Sequence, residues 1–221
     1  EAKCMIKARC KGVKGIELRK IVTMGSQSGY VSLLRELPDR SEVLWKSLRT
    51  KERNQVRKAE RSGLRICWGK VYLDEFYAVY TRNMHRLGTP AHSKRWLMSI
   101  LDSMPARTDL ITVFLDNLPV AGMLIFKFRD CIGVPYASTV KEYNSLCPNA
   151  LMYWEAFKHG CENSFKHFDF GRSIVGSSTY KFKKHWGGIP IPLSYEFISF
   201  GNARKNTEMK YASGKALLVA K

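Results

Sequence analysis

The chain has 221 residues, 45% hydrophobic and 12% aromatic, enough to bury a substantial core in one or two domains. Its 37 Lys+Arg against 19 Asp+Glu give a formal net charge of +18, which favours polyanionic partners: nucleic acid, anionic lipid surfaces or phosphorylated substrates. No stretch reaches the ~18–20 apolar residues of a membrane span, so no stable membrane insertion is expected.

The opening EAKCMIKARCKGVKG lacks the apolar core of a signal peptide, and the chain starts on Glu1, so a piece of a longer protein is expected. Cys4, Cys10, Cys67, Cys131, Cys147 and Cys161 form no CxxC pair and read as free thiols of a reducing compartment. Cys147, His159 and Cys161 lack the HxE and PCxxC pattern of zinc deaminases, and no metal is expected.

Leu18–Ile21 and Tyr30–Leu34 read as two short strands closing an earlier unit, before Pro38 and Asp39 break the chain. SEVLWKSLRTKERNQVRKAERSG (41–63) reads as helix, capped by Ser41, stopped by Gly63 and divided by a turn near Thr50. LRICWG (64–69) alternates like a strand. Residues 73–88 carry Phe76, Val79, Tyr80 and Met84 on one helical face, and a further helix over 93–104 is capped by Ser93.

DLITVFLD and PVAGMLIFKFRD predict a hairpin turning at Asn117-Leu118-Pro119, followed by a third strand over 131–139. Residues 149–164 predict an amphipathic helix capped by Asn149. A short buried strand (166–171), a helix near Ser177–Trp186 and a last strand (192–200) follow. The tail 201–221 is polar and basic. The order β, α, α, β, β, β, α, β, α, β indicates an α/β (α+β) domain with a mixed sheet, an order similar to that of the acyltransferase superfamily called GNAT.

Two stretches make a more specific resemblance. LWKSLRTKERNQVRKAERSGLRI resembles the head of the second GNAT-like domain of the FemAB family, where a basic helix ending in KA-x-x-x-G leads into a strand. VPYASTVKEYNSLCPNALMYWEAFKHG and FDFGRSIVGSSTYKFKKHWGGIPIPLSYEF resemble that family's C-terminal core. With NMHRLGTPAHSKRW they are similar to the branch associated with exosortase and exopolysaccharide gene clusters.

The resemblance covers roughly residues 40–200 and implies two tandem GNAT-like domains. Residues 1–39 would hold the terminal strands of a truncated first domain, 40–200 the second domain, and 201–221 a basic extension. It further implies transfer of an amino acid from aminoacyl-tRNA to an amine of a cell-wall or exopolysaccharide precursor, in the cytoplasm or at the inner face of the membrane.

Within Y-x-F-K-x-x-W-G, the resemblance puts the family's signature lysine at Lys183, beside the acyl ester, where an ammonium stabilises the developing oxyanion. Tyr180, Phe182 and Trp186 belong to the same motif, and Phe182 and Trp186 offer stacking surfaces for terminal bases, against the more common role of aromatics as core. Lys181 and Lys184 are expected to face solvent. The family's Y-x-S pattern places Tyr136 and Ser138 near the acceptor.

Asp169 ends the strand HFDFG, where it either accepts a proton from the attacking amine or caps the following turn, the capping role being favoured. Arg172 binds a substrate phosphate or pairs with Asp169. Arg49, Arg53, Arg57 and Arg61 recur every four residues, so one helix face carries four guanidiniums suited to phosphates, with a solvated face as the plain alternative. Ser173, Ser177 and Ser178 have no histidine at a triad spacing.

CoA-dependent GNAT enzymes carry a glycine-rich loop whose amides hold the pyrophosphate. The corresponding STVKEYNSLCPN contains no glycine, which disfavours CoA as donor. Two other functions fit the sequence less well: an acyl-CoA-dependent GNAT N-acetyltransferase, and a catalytically silent RNA- or polyanion-binding module.

Overall fold

The computed structural model describes the backbone of residues 15–21 and 29–199, with side chains from 29 to 193. The basic tail 201–221, Cys4 and Cys10 lie outside the described residues. The chain divides into two compact units, residues 1–20 with 194–221, and residues 21–193. The described part of the first unit consists of residues 15–20 of strand β1 (Gly15–Ile21) and residues 194–199 of β8 (Ile189–Ser199).

The second unit follows the predicted order. After β2 (Tyr30–Glu36) come α1 (Ser41–Ser47), α2 (Thr50–Arg61), β3 (Leu64–Trp68), α3 (Leu73–Arg86) and α4 (Lys94–Ser103). Then follow β4 (Thr108–Leu115), β5 (Leu118–Phe128), β6 (Cys131–Thr139), α5 (Pro148–Glu162), β7 (His167–Ile174), α6 (Ser178–His185) and the start of β8. Its sheet runs β8-β2-β7-β6-β5-β4-β3, antiparallel except for the parallel β6–β7 pair.

Alternation in the strands divides the core between two faces. Leu33, Ile132, Phe168 and Phe170 pack with Tyr153 and Phe157 of α5, Val56 of α2 and Trp186. Leu110 and Leu124 pack on the other face with Phe76 and Tyr80 of α3 and Leu97 of α4. Among the described residues no helix is long and apolar enough to cross a membrane.

Three expected details move. Arg40, extended at φ −132, takes the cap position of α1, and its carbonyl meets the amides of Val43 and Leu44, so Ser41 is already helical. The β4–β5 turn is the pair Asp116-Asn117, with Asp116 left-handed at φ 53 and Leu115 opposite Leu118. Cys147, left-handed at φ 61, precedes α5, and Pro148 fills its first turn, so Asn149 caps nothing. The caps expected at Ser93 and Gly63 are present: Ser93 accepts from the Trp96 amide at 3.2 Å, and Gly63 has φ 75.

β2 pairs with β7 and β8 inside the second unit. The boundary expected after residue 39 therefore falls within a continuous sheet. Buried Arg35 of β2 donates to the Trp186 carbonyl and to Ser47 Oγ (2.6 Å) and lies 5.3 Å from the Phe157 ring centre. One guanidinium thus joins β2, α1, α5 and the end of α6, and burial lowers its pKa.

The seating of α3 on β5 depends on Gly122, where an added Cβ would lie 2.6 Å from Cδ2 of the fully buried Phe76. Phe76 stacks on Tyr80, so the ring has no free direction. Gly122→Ala is expected to destabilise the protein by about 1–3 kcal/mol through overpacking. A urea unfolding midpoint equal to that of the parent would contradict this packing.

Candidate acyl-transfer site

β6 and β7 pair over only Cys131↔His167, Ile132↔Phe168 and Gly133↔Asp169 before they part. The parting is built into β7. Its register against β2 slips between Ser32 and Leu34, and Gly171 has φ +74, the conformation of a glycine bulge. A Cβ on Gly171 would lie 3.0 Å from the Val134 carbonyl oxygen, so β7 leaves β6 at a spacing that excludes a side chain.

Asp169 holds this bend. Its Oδ1 accepts from the Gly171 amide at 2.8 Å and from Ser32 Oγ. This is the turn-capping arrangement favoured by the sequence, and it occupies the carboxylate with two donors. Ser32, a buried partner on β2, gave no chemical signal in the sequence.

α6 starts at Ser177, whose Oγ accepts from the Tyr180 amide at 3.1 Å. The helix carries Lys183 inward, 5% exposed, with Nζ donating to the carbonyls of Gly171 (2.9 Å) and Arg172 (3.1 Å). Both carbonyls belong to the stretch of β7 that no longer pairs with β6. Burial lowers the Lys183 pKa from 10.5 to about 8, Asp169 opposes the shift, and Arg172 adds to it. Lys181 and Lys184 are exposed, as expected.

The aromatic part of the motif is core. Trp186 is 1% exposed, and Tyr153 lies 5.2 Å from Phe182 and 6.3 Å from Trp186. Trp186 therefore cannot offer a face to a base, because α5 and β7 cover it. Phe182 and Tyr180 are half-buried against the same cluster, and Lys184 Nζ sits 6.0 Å over the Tyr180 ring. Exposed Arg172 stacks 4.7 Å over Tyr30.

On the β6 side, half-buried Tyr136 meets Tyr80 at 5.6 Å and His92 at 5.9 Å. Ser138 is buried and accepts from Asn83 Nδ2 at 3.2 Å, so it ties β6 to α3. Tyr136 and Ser138 thus belong to the α3 face, while Lys183 belongs to a helix packed on β7 and β2.

The row of guanidiniums is shorter than its spacing suggested. The helix breaks at Leu48, and Arg49 is tied to Glu52, which is only 2% exposed. Arg53, Arg57 and Arg61 remain on α2. Arg53 donates to the Lys46 carbonyl (3.1 Å), Arg57 lies 5.6 Å over Trp45, and Arg61 donates to the Arg57 carbonyl (3.3 Å).

The glycine-free loop after β6 folds as a 3-10 turn, Lys141–Leu146. The Tyr143 amide bonds to Val140 and the Cys147 amide to Asn144, while Pro148 has no N–H.

Residues 46–183 match the family model described as an acetyltransferase (GNAT) domain. The chain belongs to this family. No curated protein matches it. Among solved structures it is similar to FemX, at 15% identity and TM-score 0.68, over 86% of this chain and 72% of that one. It is similar to the C-terminal domain of a putative lysylphosphatidylglycerol synthetase from Agrobacterium fabrum, at 10% identity and TM-score 0.54, over 86% of this chain and 65% of that one. A putative GNAT-family acetyltransferase from Novosphingobium aromaticivorans DSM 12444 matches at 10% identity and TM-score 0.53, over 90% of this chain and 81% of that one. At these identities the likeness is one of fold, and the chain spans less than two thirds of the Agrobacterium structure.

Lys183 makes a pH prediction with a definite sign. Below pH 8 folded and unfolded chains both hold its proton, and the buried charge costs the fold about 3 kcal/mol. Between pH 8 and 10.5 the unfolded chain binds more protons, so stability rises with pH. Relative to Lys183→Met, the parent is expected to gain about 3 kcal/mol across that window in denaturant titrations. Parallel pH profiles for the two proteins would refute the buried ammonium.

Proposed function

We propose that this GNAT domain belongs to a FemAB-like N-acyltransferase of the branch associated with exosortase and exopolysaccharide gene clusters. It moves an aminoacyl or acyl group from aminoacyl-tRNA to an amine of a cell-wall or exopolysaccharide precursor, in the cytoplasm or at the inner face of the membrane. It stands second in a tandem of GNAT-like domains.

The observation that carries this reading is the Lys183 ammonium buried where β6 and β7 part. An ammonium has three donors, and two of those on Lys183 go to Gly171 and Arg172. The third serves the acyl carbonyl. As the amine attacks, negative charge grows on the carbonyl oxygen, and a preorganised cation stabilises it more in the transition state than in the ground state. Attack is direct, without an acyl-enzyme: the amine nitrogen bonds to the acyl carbon, the ester bond to the tRNA breaks, and the proton lost by the amine ends on the departing terminal hydroxyl. Asp169 fixes the bend that presents the two carbonyls, and Tyr136, with Ser138 behind it, orients the acceptor.

The fold shared with FemX and with a domain of a putative lysylphosphatidylglycerol synthetase supports an envelope precursor as acceptor. The loop Lys141–Leu146 supports a donor other than CoA, since the amides of Tyr143 and of Cys147 just after it are spent on the loop's own carbonyls and on Val140, and it lacks glycine. The row Arg53, Arg57 and Arg61 supports a polyanionic donor.

Transfer of labelled amino acid from charged tRNA tests the reading. Lys183→Ala should lower kcat by about 10²–10³, and Arg53, Arg57 and Arg61 changed together to Gln should abolish tRNA retention at moderate salt. Undiminished transfer by Lys183→Ala would remove the lysine from the chemistry.

A further inference from the structure

Among the described residues, three buried side-chain oxygens have no hydrogen-bond partner: Glu75 Oε2, Thr112 Oγ1 and Ser173 Oγ. Glu75 lies on α3 and Thr112 on β4, whereas Ser173 belongs to the stretch of β7 that has parted from β6. Ser173 is 6% exposed, so its hydroxyl gives up water and gains nothing in return, which destabilises the fold. An unpaired buried hydroxyl of this kind marks stored strain, a bound water or a group that takes its partner from a ligand.

The strand register says which way the hydroxyl faces. Ser173 stands opposite Val31 of β2, and opposed side chains of an antiparallel pair share a face. Val31 packs with Phe170 and Trp186, on the side of the sheet where α6 lies. Ser173 therefore looks toward the helix that carries Lys183. Lys183 Nζ is 3.1 Å from the Arg172 carbonyl oxygen, whose peptide group leads directly into Ser173. Peptide geometry then puts the Ser173 Cα no more than about 6 Å from Nζ. One oxygen atom that accepts from an ammonium and a hydroxyl needs them within about 5.5 Å of each other, which this linkage permits.

The neighbouring charge decides what the hydroxyl does. The Gly171 and Arg172 carbonyls hold Lys183 as an ammonium, a donor with no lone pair, so it takes no proton from Ser173. Asp169 Oδ1 already accepts from the Gly171 amide and Ser32 Oγ. Without a base to activate it, Ser173 is a donor and not a nucleophile.

We propose that Ser173 is a second catalytic donor for acyl transfer: its hydroxyl holds the acyl carbonyl oxygen beside Lys183. The amine nitrogen bonds to the acyl carbon, the ester bond breaks, and the amine's proton leaves with the departing hydroxyl. Ser173 keeps its own proton throughout. Two donors from different elements, β7 and α6, fix the position of the oxygen as well as its charge. The proposal rests on the acyl-transfer reading, and the stability lost to the unpaired hydroxyl is recovered when the acyl group binds.

Transfer kinetics and thermal unfolding of the full chain test this together. Ser173→Ala should lower kcat about 10²-fold with KM nearly unchanged. The same change should raise the thermal midpoint by about 2–4 °C, because it removes an unpaired buried hydroxyl. Ser173→Cys, with a weaker donor, should fall between the two in kcat. Ser178→Ala, at the exposed start of α6, should transfer like the parent. In a Lys183→Ala background Ser173→Ala should cost less than it does alone, since both donors serve one oxygen.

Parent kcat in Ser173→Ala would overturn the serine's role and leave the acyl-transfer reading standing. A fall in both kcat and the thermal midpoint would make the hydroxyl a structural anchor instead. An acyl group found on Ser173 by mass spectrometry after a single turnover would make it a nucleophile and overturn both its role as donor and direct attack. A parent that transfers nothing from charged tRNA or acyl-CoA overturns the acyl-transfer reading and the serine with it. Transfer from acyl-CoA alone overturns only the donor, and the same kcat ratio then judges the serine.

Discussion

The brevity of the β6–β7 pairing governs the rest of the site. A parallel pair in the middle of a sheet would ordinarily continue along both strands, because each unpaired backbone group costs free energy when buried. Here it stops at Gly133↔Asp169. Backbone groups left without a strand must then be met by side chains. The Gly171 and Arg172 carbonyls meet Lys183, and the Gly171 amide meets Asp169. The residues of the candidate site are those that satisfy a sheet opened on purpose.

The two buried cations of this region are treated differently. Arg35 has two acceptors and an aromatic ring beneath it, and its planar fork suits that fixed environment. Lys183 is a compact charge with a donor left over and a pKa lowered by burial to about 8. The first cation reads as structure. The second retains the electrostatic tension found where chemistry is done.

Much of this was legible in the sequence because the signals were local. Helix and strand periodicities gave the order of elements, and the motif around Lys183 put the lysine on a short helix after a glycine bend. The burial of Trp186 was not legible, since a motif cannot say which side of a helix faces the core. Nor was the role of Arg49: the dividing turn near Thr50 was expected, but not that Arg49 beside it would pair with buried Glu52. Arg35 had a faint signal: Val31, Leu33 and Arg35 alternate inward on one strand, and a lone arginine in that series implies a buried partner. Its partners lie 12 and 151 residues away, which no local reading supplies.

Arg35 also bears on where the domain physically begins. An added Cβ at Gly187 would lie 2.6 Å from Arg35 Nη1, so the helix carrying Lys183 is closed by a residue that precedes the family-matched segment 46–183. A chain cut between residues 36 and 46 would leave the Trp186 carbonyl, just past α6, without the Arg35 guanidinium. The packed unit therefore includes β2 and is longer than the segment of sequence similarity.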